Sequence, residues 1–182
     1  MNIILDLLGA FLIGGIVLLL VANLNAYSSE TQFASAADLR LQQNAKTLAE
    51  IINDDLRKIG YKYSGTAISQ ADSQKISFYG DINNDGTMDL VTYYLGNKED
   101  APSTPNPDDR VMYRIVNNDT ISGPTLGLTN LKFSYLNTHE QVTANPDSIC
   151  YVKAEIWVET IQPVGGEYPF TYWEMTINPR NI

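Results

Sequence analysis

Asp81, Asn83, Asp85, Thr87 and Asp89 stand at alternating positions in the stretch FYGDINNDGTMDLVTYYLG, residues 78 to 96, with Gly86 beside the turn. Oxygen-bearing side chains in this rhythm, with a glycine for the sharp bend, are what calcium takes, because the ion gathers several oxygen ligands at once. The run D-x-N-x-D-G matches the opening of an EF-hand loop. The remainder does not: the twelfth position is Thr92 where a bidentate glutamate is needed, and the flanks alternate like strands. Asp89 can close a shorter loop, helped by the Thr87 carbonyl. Without a cation, carboxylates crowded on one turn repel one another, although water and salt moderate the cost. The plainer alternative is a solvated Asn-Asp-Gly hairpin, since Asp and Gly are ordinary turn residues. In the calcium reading, Asp81, Asn83, Asp85, Thr87 and Asp89 are the ligands. The ion would staple a loop rather than signal or catalyse.

Other chemistry is poorly represented. His139, the single histidine, lies in the polar stretch NTHEQ and reads as a surface side chain. Cys150, the single cysteine, cannot form a bridge within the chain and reads as a small core residue ahead of a strand. No orienting residue or oxyanion site accompanies these two, no glycine-rich phosphate loop follows a strand, and no His or Cys spacing suits zinc. A formal charge of −9 argues against binding a phosphate backbone, so nucleic acid is not an expected partner. Trp157 and Trp173 fall at alternating strand positions, where core and cross-strand packing account for them. Asn118-Asp119-Thr120 fits a glycosylation triplet by pattern alone.

The elements that position these residues begin with an apolar run. From Ile3 to Ala22 the sequence IILDLLGAFLIGGIVLLLVA carries one charge, Asp6, and at about 20 residues it is long enough to span a bilayer as a helix. A cleaved signal peptide would show a basic start and a shorter apolar core, and MN offers neither Lys nor Arg. A carboxylate inside such a helix costs a few kcal/mol unless it reaches the headgroups or is paired. Asp6 either snorkels to the interface near the positive end of the helix dipole or pairs with a positive group on a neighbouring subunit. Gly9, Gly14 and Gly15 permit close helix approach or a kink.

Beyond the polar crossing NLNAYSSETQ, the residues Leu41, Ala45, Leu48, Ile52, Leu56 and Ile59 recur at three- and four-residue spacing. They predict an amphipathic helix continuous with the first and capped at Gly60. The period then changes to two. KISFYG, DLVTYYLG, RVMYRIVN, LKFSYLN, CYVKAEIWVET and PFTYWEMTI are rich in β-branched and aromatic residues and predict one antiparallel sheet, covered by the Leu41–Ile59 stripe. The proline-rich stretches NKEDAPSTPNPDD and TIQPVGGEYP read as exposed loops. The expected division is 1–24 for a transmembrane or filament-core helix, 25–60 for its amphipathic continuation and 61–182 for a β domain.

This order resembles a type IV pilin or a type II secretion pseudopilin. LRLQQNAKTLAEIINDDLRKIGY is similar to the long helix of the PilW-like and GspJ-like minor pilins. ISFYGDINNDGTMDLVTYYL and the closing MTINPRNI resemble segments these proteins often carry. The family's basic leader, and its glycine and phenylalanine ahead of a glutamate at the fifth mature position, are not matched. Asp6 stands near where that glutamate falls, so the recruitment of a neighbour's N-terminal amine carries over to it by analogy.

The resemblance implies an α+β fold, with a long N-terminal helix packed on an antiparallel sheet. It also implies a structural, non-enzymatic filament subunit, minor or initiating. Its partners would be pilin-like subunits or copies of itself, and it would reside in the inner membrane before assembly, with the C-terminal domain periplasmic or extracellular. The alternatives are a main filament subunit, or a monomeric tethered binding module whose loops 97–109 and 161–169 recognise a ligand.

Overall fold

The computed structural model describes residues 3–123 and 125–182. The first element is one uninterrupted helix, α1 (Ile3–Leu56), 54 residues long. The first proline of the chain is Pro102, and the polar positions of α1 are mostly good helix formers, so nothing breaks the ladder. The chain divides into two compact units, residues 1–38 and 39–182, with α1 contributing to both.

In the first unit the side chains of α1 are almost all exposed. The packing stripe begins at Leu41, as the spacing predicts: Leu41, Ala45, Leu48, Ala49, Ile52, Asp55 and Leu56 are buried in the second unit. The end of α1 tightens, with the Lys58 amide bonding to the Asp55 carbonyl at 2.9 Å and the Ile59 amide to the Leu56 carbonyl at 3.3 Å. Gly60 then takes φ 74° and gives its amide to the Tyr79 carbonyl at 2.8 Å. The helix thus ends four residues before the glycine expected to cap it, which instead turns the chain onto the sheet. A Cβ on Gly60 would lie 2.5 Å from the Asn181 carbonyl oxygen, and one on Gly80 would lie 2.4 Å from that of Lys58. The chain's last residues and the second strand therefore both press against this corner.

Among the described residues eight strands follow: β1 (Ile68–Ala71), β2 (Lys75–Gly80), β3 (Asp89–Leu95), β4 (Met112–Val116), β5 (Asp119–Ser122), β6 (Leu128–Leu136), β7 (Tyr151–Glu159) and β8 (Phe170–Ile177). They form two antiparallel sheets, β1-β2-β3-β4-β5 and β6-β7-β8, rather than the single sheet expected. β1 and β5 are short edge strands whose pattern is too brief to read from sequence, and every residue of β5 is exposed. After β5, Leu126 and Gly127 take φ 47° and 78° and carry the chain out of the first sheet. The sheets remain joined by the Phe133 amide on the Ser73 carbonyl, at 2.7 Å, and the Arg110 amide on the Leu128 carbonyl, at 2.7 Å.

Both sheets share one core. Val152, Ala154, Ile156 and Val158 alternate inward along β7, and Phe78, Val91, Tyr93, Leu131 and Phe133 meet the buried stripe of α1. Side chains such as Leu48, Ile52 and Ile156 are fully buried, each contributing roughly 2–3 kcal/mol of transfer free energy. The fold is α+β, with the long N-terminal helix packed on antiparallel sheets, the layout expected for a pilin-like subunit.

Candidate functional site

The N-terminal part of α1 presents an apolar surface that the chain itself does not cover. Its most apolar stretch is long enough to cross a membrane, and none of it is buried. Ile3, Phe11 and Leu18 are 78, 72 and 70% exposed. Asp6 occupies the first turn, where the unbonded amides of the helix favour a carboxylate. At Gly9, Gly14 and Gly15 an added Cβ would meet nothing within 4 Å beyond the adjoining turns of α1 among the described residues, so no tertiary contact there requires glycine.

The β2–β3 connection gathers most of the residues offered as metal ligands. Asp81, only 1% exposed, accepts the Asp85 amide at 3.1 Å on Oδ1 and the Gly86 amide at 3.0 Å on Oδ2. Asn83 reaches Asp85 twice, through the Asp85 amide on its Oδ1 at 3.1 Å and through its own Nδ2 on Asp85 Oδ2 at 2.7 Å. Asp85 Oδ1 also accepts the Thr87 amide, at 2.7 Å, and the Thr87 hydroxyl. Asp89, at the start of β3, has partners of its own, accepting Asn117 Nδ2 at 2.8 Å and the Ile82 amide at 3.3 Å.

A cation from the protein already serves this turn. Lys62 Nζ donates to Asp81 Oδ2 at 2.7 Å and to Asn84 Oδ1 at 2.8 Å. Its bond to Asp81 raises the Lys62 pKa and, with the Gly86 and Asp85 amides, holds the Asp81 carboxyl below its ordinary value. The Thr87 hydroxyl and amide lower Asp85 in the same way. Lys62 and Asn84 both adopt positive φ, 58° and 61°, to bring these groups together. No group of three or more His, Cys, Asp or Glu side chains converges on a metal-sized position among the described residues.

Two polar clusters were not picked out from the sequence. Asp55 Oδ2, on the buried face of α1, accepts the Tyr93 hydroxyl at 2.6 Å and Arg114 Nε at 2.6 Å, and Arg114 also reaches the Tyr93 oxygen at 3.2 Å. Burial and the neighbouring carboxylate push the Tyr93 phenol far above its usual pKa, so it remains a donor. The signal was present: Asp55 follows Leu48 and Ile52 on the apolar stripe, a position that a carboxylate occupies only with partners.

The second cluster lies in the β3–β4 loop, expected to be a simple exposed loop. Asn106 and Asp109 are instead 2 and 1% exposed, and Asn106 Nδ2 donates to Glu159 Oε2 at 3.0 Å and to the Thr160 carbonyl at 3.1 Å. Tyr168, from the other proline-rich loop, donates its hydroxyl to the Pro105 carbonyl at 3.0 Å. Desolvation, with the charges of Glu159 and Asp108, outweighs the Thr104 hydroxyl and pushes Asp109 up to about 6.

The remaining residues divide. His139 is exposed as expected, whereas Cys150 is only half-buried because its neighbour Ile149 takes the core position. Trp157 pairs across strands with Tyr172, ring centroids 5.1 Å apart, while Trp173 faces the inner side of β8 and stays 41% exposed because β8 is the sheet edge.

Fold and surface together define an α+β protein with one helix able, by length and composition, to cross a membrane. Comparisons with protein-family models, curated proteins and solved structures return no match to this chain.

Proposed function

We propose that the chain is a structural subunit of a type IV pilus-like or pseudopilus filament, in a minor or initiating position, assembling through its N-terminal helix. The observation that carries this reading is apolar surface beyond what a bilayer needs. A tether requires about 20 apolar residues, and Ile3–Ala22 already supplies them. Leu24, Tyr27, Phe33 and Leu39 follow at 66, 71, 53 and 60% exposure, outside that span. Packing against helices of other subunits removes this surface from water, at about 25 cal/mol per Å². Gly9, Gly14 and Gly15 allow close approach in such a bundle, and Asp6 supplies a carboxylate for a neighbour's positive group.

Before assembly the subunit sits in the inner membrane as a single-pass protein with its β domain outside. Afterwards the helices form the filament core and the β domains its outer layer. The role is structural rather than catalytic. The β2–β3 turn holds one corner of the domain, either through Lys62 or through a calcium ion on Asp81, Asn83, Asp85, Thr87 and Asp89. Melting with and without chelator separates these two modes.

The competing reading, a monomeric tethered binding module, draws on the bond between Tyr168 and Pro105, which joins the two proline-rich loops into one surface. The test is disulfide trapping between copies in membranes, with Phe33→Cys in a Cys150→Ser background, alongside electron microscopy of surface filaments with and without the chain. Cross-linked dimers and filament loss on deletion support the subunit. Filaments unaffected by deletion, together with a monomeric full-length chain, support the tether. Asp6→Ala impairs assembly in the first reading and has no effect in the second.

A further inference from the structure

We infer that the β3–β4 loop and the exit of β7 form an oxygen-donor site for a divalent cation of the calcium class, built on Asp109 and Glu159. It is separate from the β2–β3 turn, and it does not depend on the filament reading. Asp109 is 1% exposed, yet neither of its carboxylate oxygens has a hydrogen-bond partner among the described residues. Leaving a carboxylate without partners in such a place costs several kcal/mol, so the arrangement calls for a positive charge or a proton.

Among the described residues no protein cation pairs with Asp109. Lys98 is held by Asp108, and Arg110 has a buried Nε without a partner and forms no ion pair among the described residues. The single proton of the Thr104 hydroxyl is shared between the carbonyls of Ala101, at 3.2 Å, and Asn106, at 3.3 Å, and the Asp109 carboxyl, so it cannot balance a full negative charge.

A second buried polar group lies at the exit of β7. The Thr160 hydroxyl, on a residue 7% exposed, is also without a partner among the described residues. Asn106 connects the parts: its carbonyl accepts the Asp109 amide at 3.3 Å, and its side chain donates to Glu159 at 3.0 Å and to the Thr160 carbonyl at 3.1 Å. Two carboxylates, a hydroxyl and nearby carbonyls make an all-oxygen set with no His or Cys, which selects a hard cation. Two negative charges match a divalent ion and would otherwise repel across the loop. Calcium tolerates the irregular geometry of a loop better than magnesium, which demands a near-octahedral shell. Pro102, Pro105 and Pro107 stiffen the loop and lower the entropy of holding the donors together.

The test is calorimetric titration of the full chain in detergent, stripped with chelator, using calcium chloride and then magnesium chloride, with melting followed in parallel. Saturable calcium binding and a higher melting temperature are expected. Asp109→Asn and Glu159→Gln should each weaken that binding at least about tenfold, whereas Asp85→Asn on the other turn should leave it intact. Thr160→Val, which keeps the charges and the volume, serves if the Asp109 variant fails to fold, and it should weaken binding as well. No saturable heat at millimolar calcium overturns the inference. So does calcium binding that survives Asp109→Asn and is lost in Asp85→Asn. An Asp109→Asn chain that melts higher than the parent, with no calcium response in either, assigns the site to a proton and overturns it too.

Discussion

Asp55→Ala removes the only carboxylate on the buried face of α1, and its cost can be worked from the two groups left behind. The Tyr93 hydroxyl, on a side chain with no exposed surface, loses its acceptor at 2.6 Å. An unsatisfied buried hydroxyl costs about 1–3 kcal/mol. The Arg114 guanidinium loses its partner at 2.6 Å, but 22% of its side chain is exposed, so water recovers part of the loss. A fully buried pair broken on one side costs about 3–5 kcal/mol, and with this exposure the Arg114 share falls to about 1–2. The expected total is about 2–5 kcal/mol. Tyr93→Phe alone should cost about 1 kcal/mol, the net worth of one hydrogen bond. The double variant should cost less than the sum, because removing the hydroxyl also removes the group that Asp55→Ala leaves stranded. Urea unfolding of a chain beginning at Ser28, followed by tryptophan fluorescence, measures all three. An Asp55→Ala loss below about 1 kcal/mol, or strict additivity with Tyr93→Phe, refutes the reasoning.

Leu48→Ala opens a cavity at a fully buried position where α1 meets both sheets, and should lower stability by about 2–5 kcal/mol in the same assay. The acid limb of stability tests the β2–β3 turn. Asp81 and Asp85 have folded pKa values below the ordinary 3.8, so the stability they contribute is present above pH 3.8 and is lost as the pH falls through their lowered values. Lys62→Met should flatten that limb, read as melting temperature from pH 5 downward, and an unchanged limb shows that Lys62 does not hold the turn.

The readable parts of the sequence were those governed by repetition. The apolar run from Ile3 and the stripe through Leu41, Leu48 and Ile52 gave the helix because one period repeats over many residues. Alternation in DLVTYYL and YVKAEIWVE gave β3 and β7 in the same way. β1 and β5 escaped notice because four residues hold too few alternations. The split into two sheets also escaped, since it depends on backbone turns at Leu126 and Gly127 rather than on side-chain pattern.

The acidic residues of the β2–β3 turn stand close together in the chain, but the partner that meets them does not. Lys62 lies 19 residues before Asp81, and nothing in the spacing joins them. Arg114 and Asp55 are 59 residues apart, and Asn106 and Glu159 are 53 apart. Chain order alone therefore determined the longer elements: a helix unbroken by proline, strands that alternate, and an apolar surface too long to be covered from within. The tertiary structure decided which charges meet, because pairing between distant residues is set by how the sheets close on the helix. It also decided which charges do not meet. Asp109 looked like one more polar residue in a proline-rich loop, and became a buried carboxylate only when Asn106 drew that loop onto the end of β7.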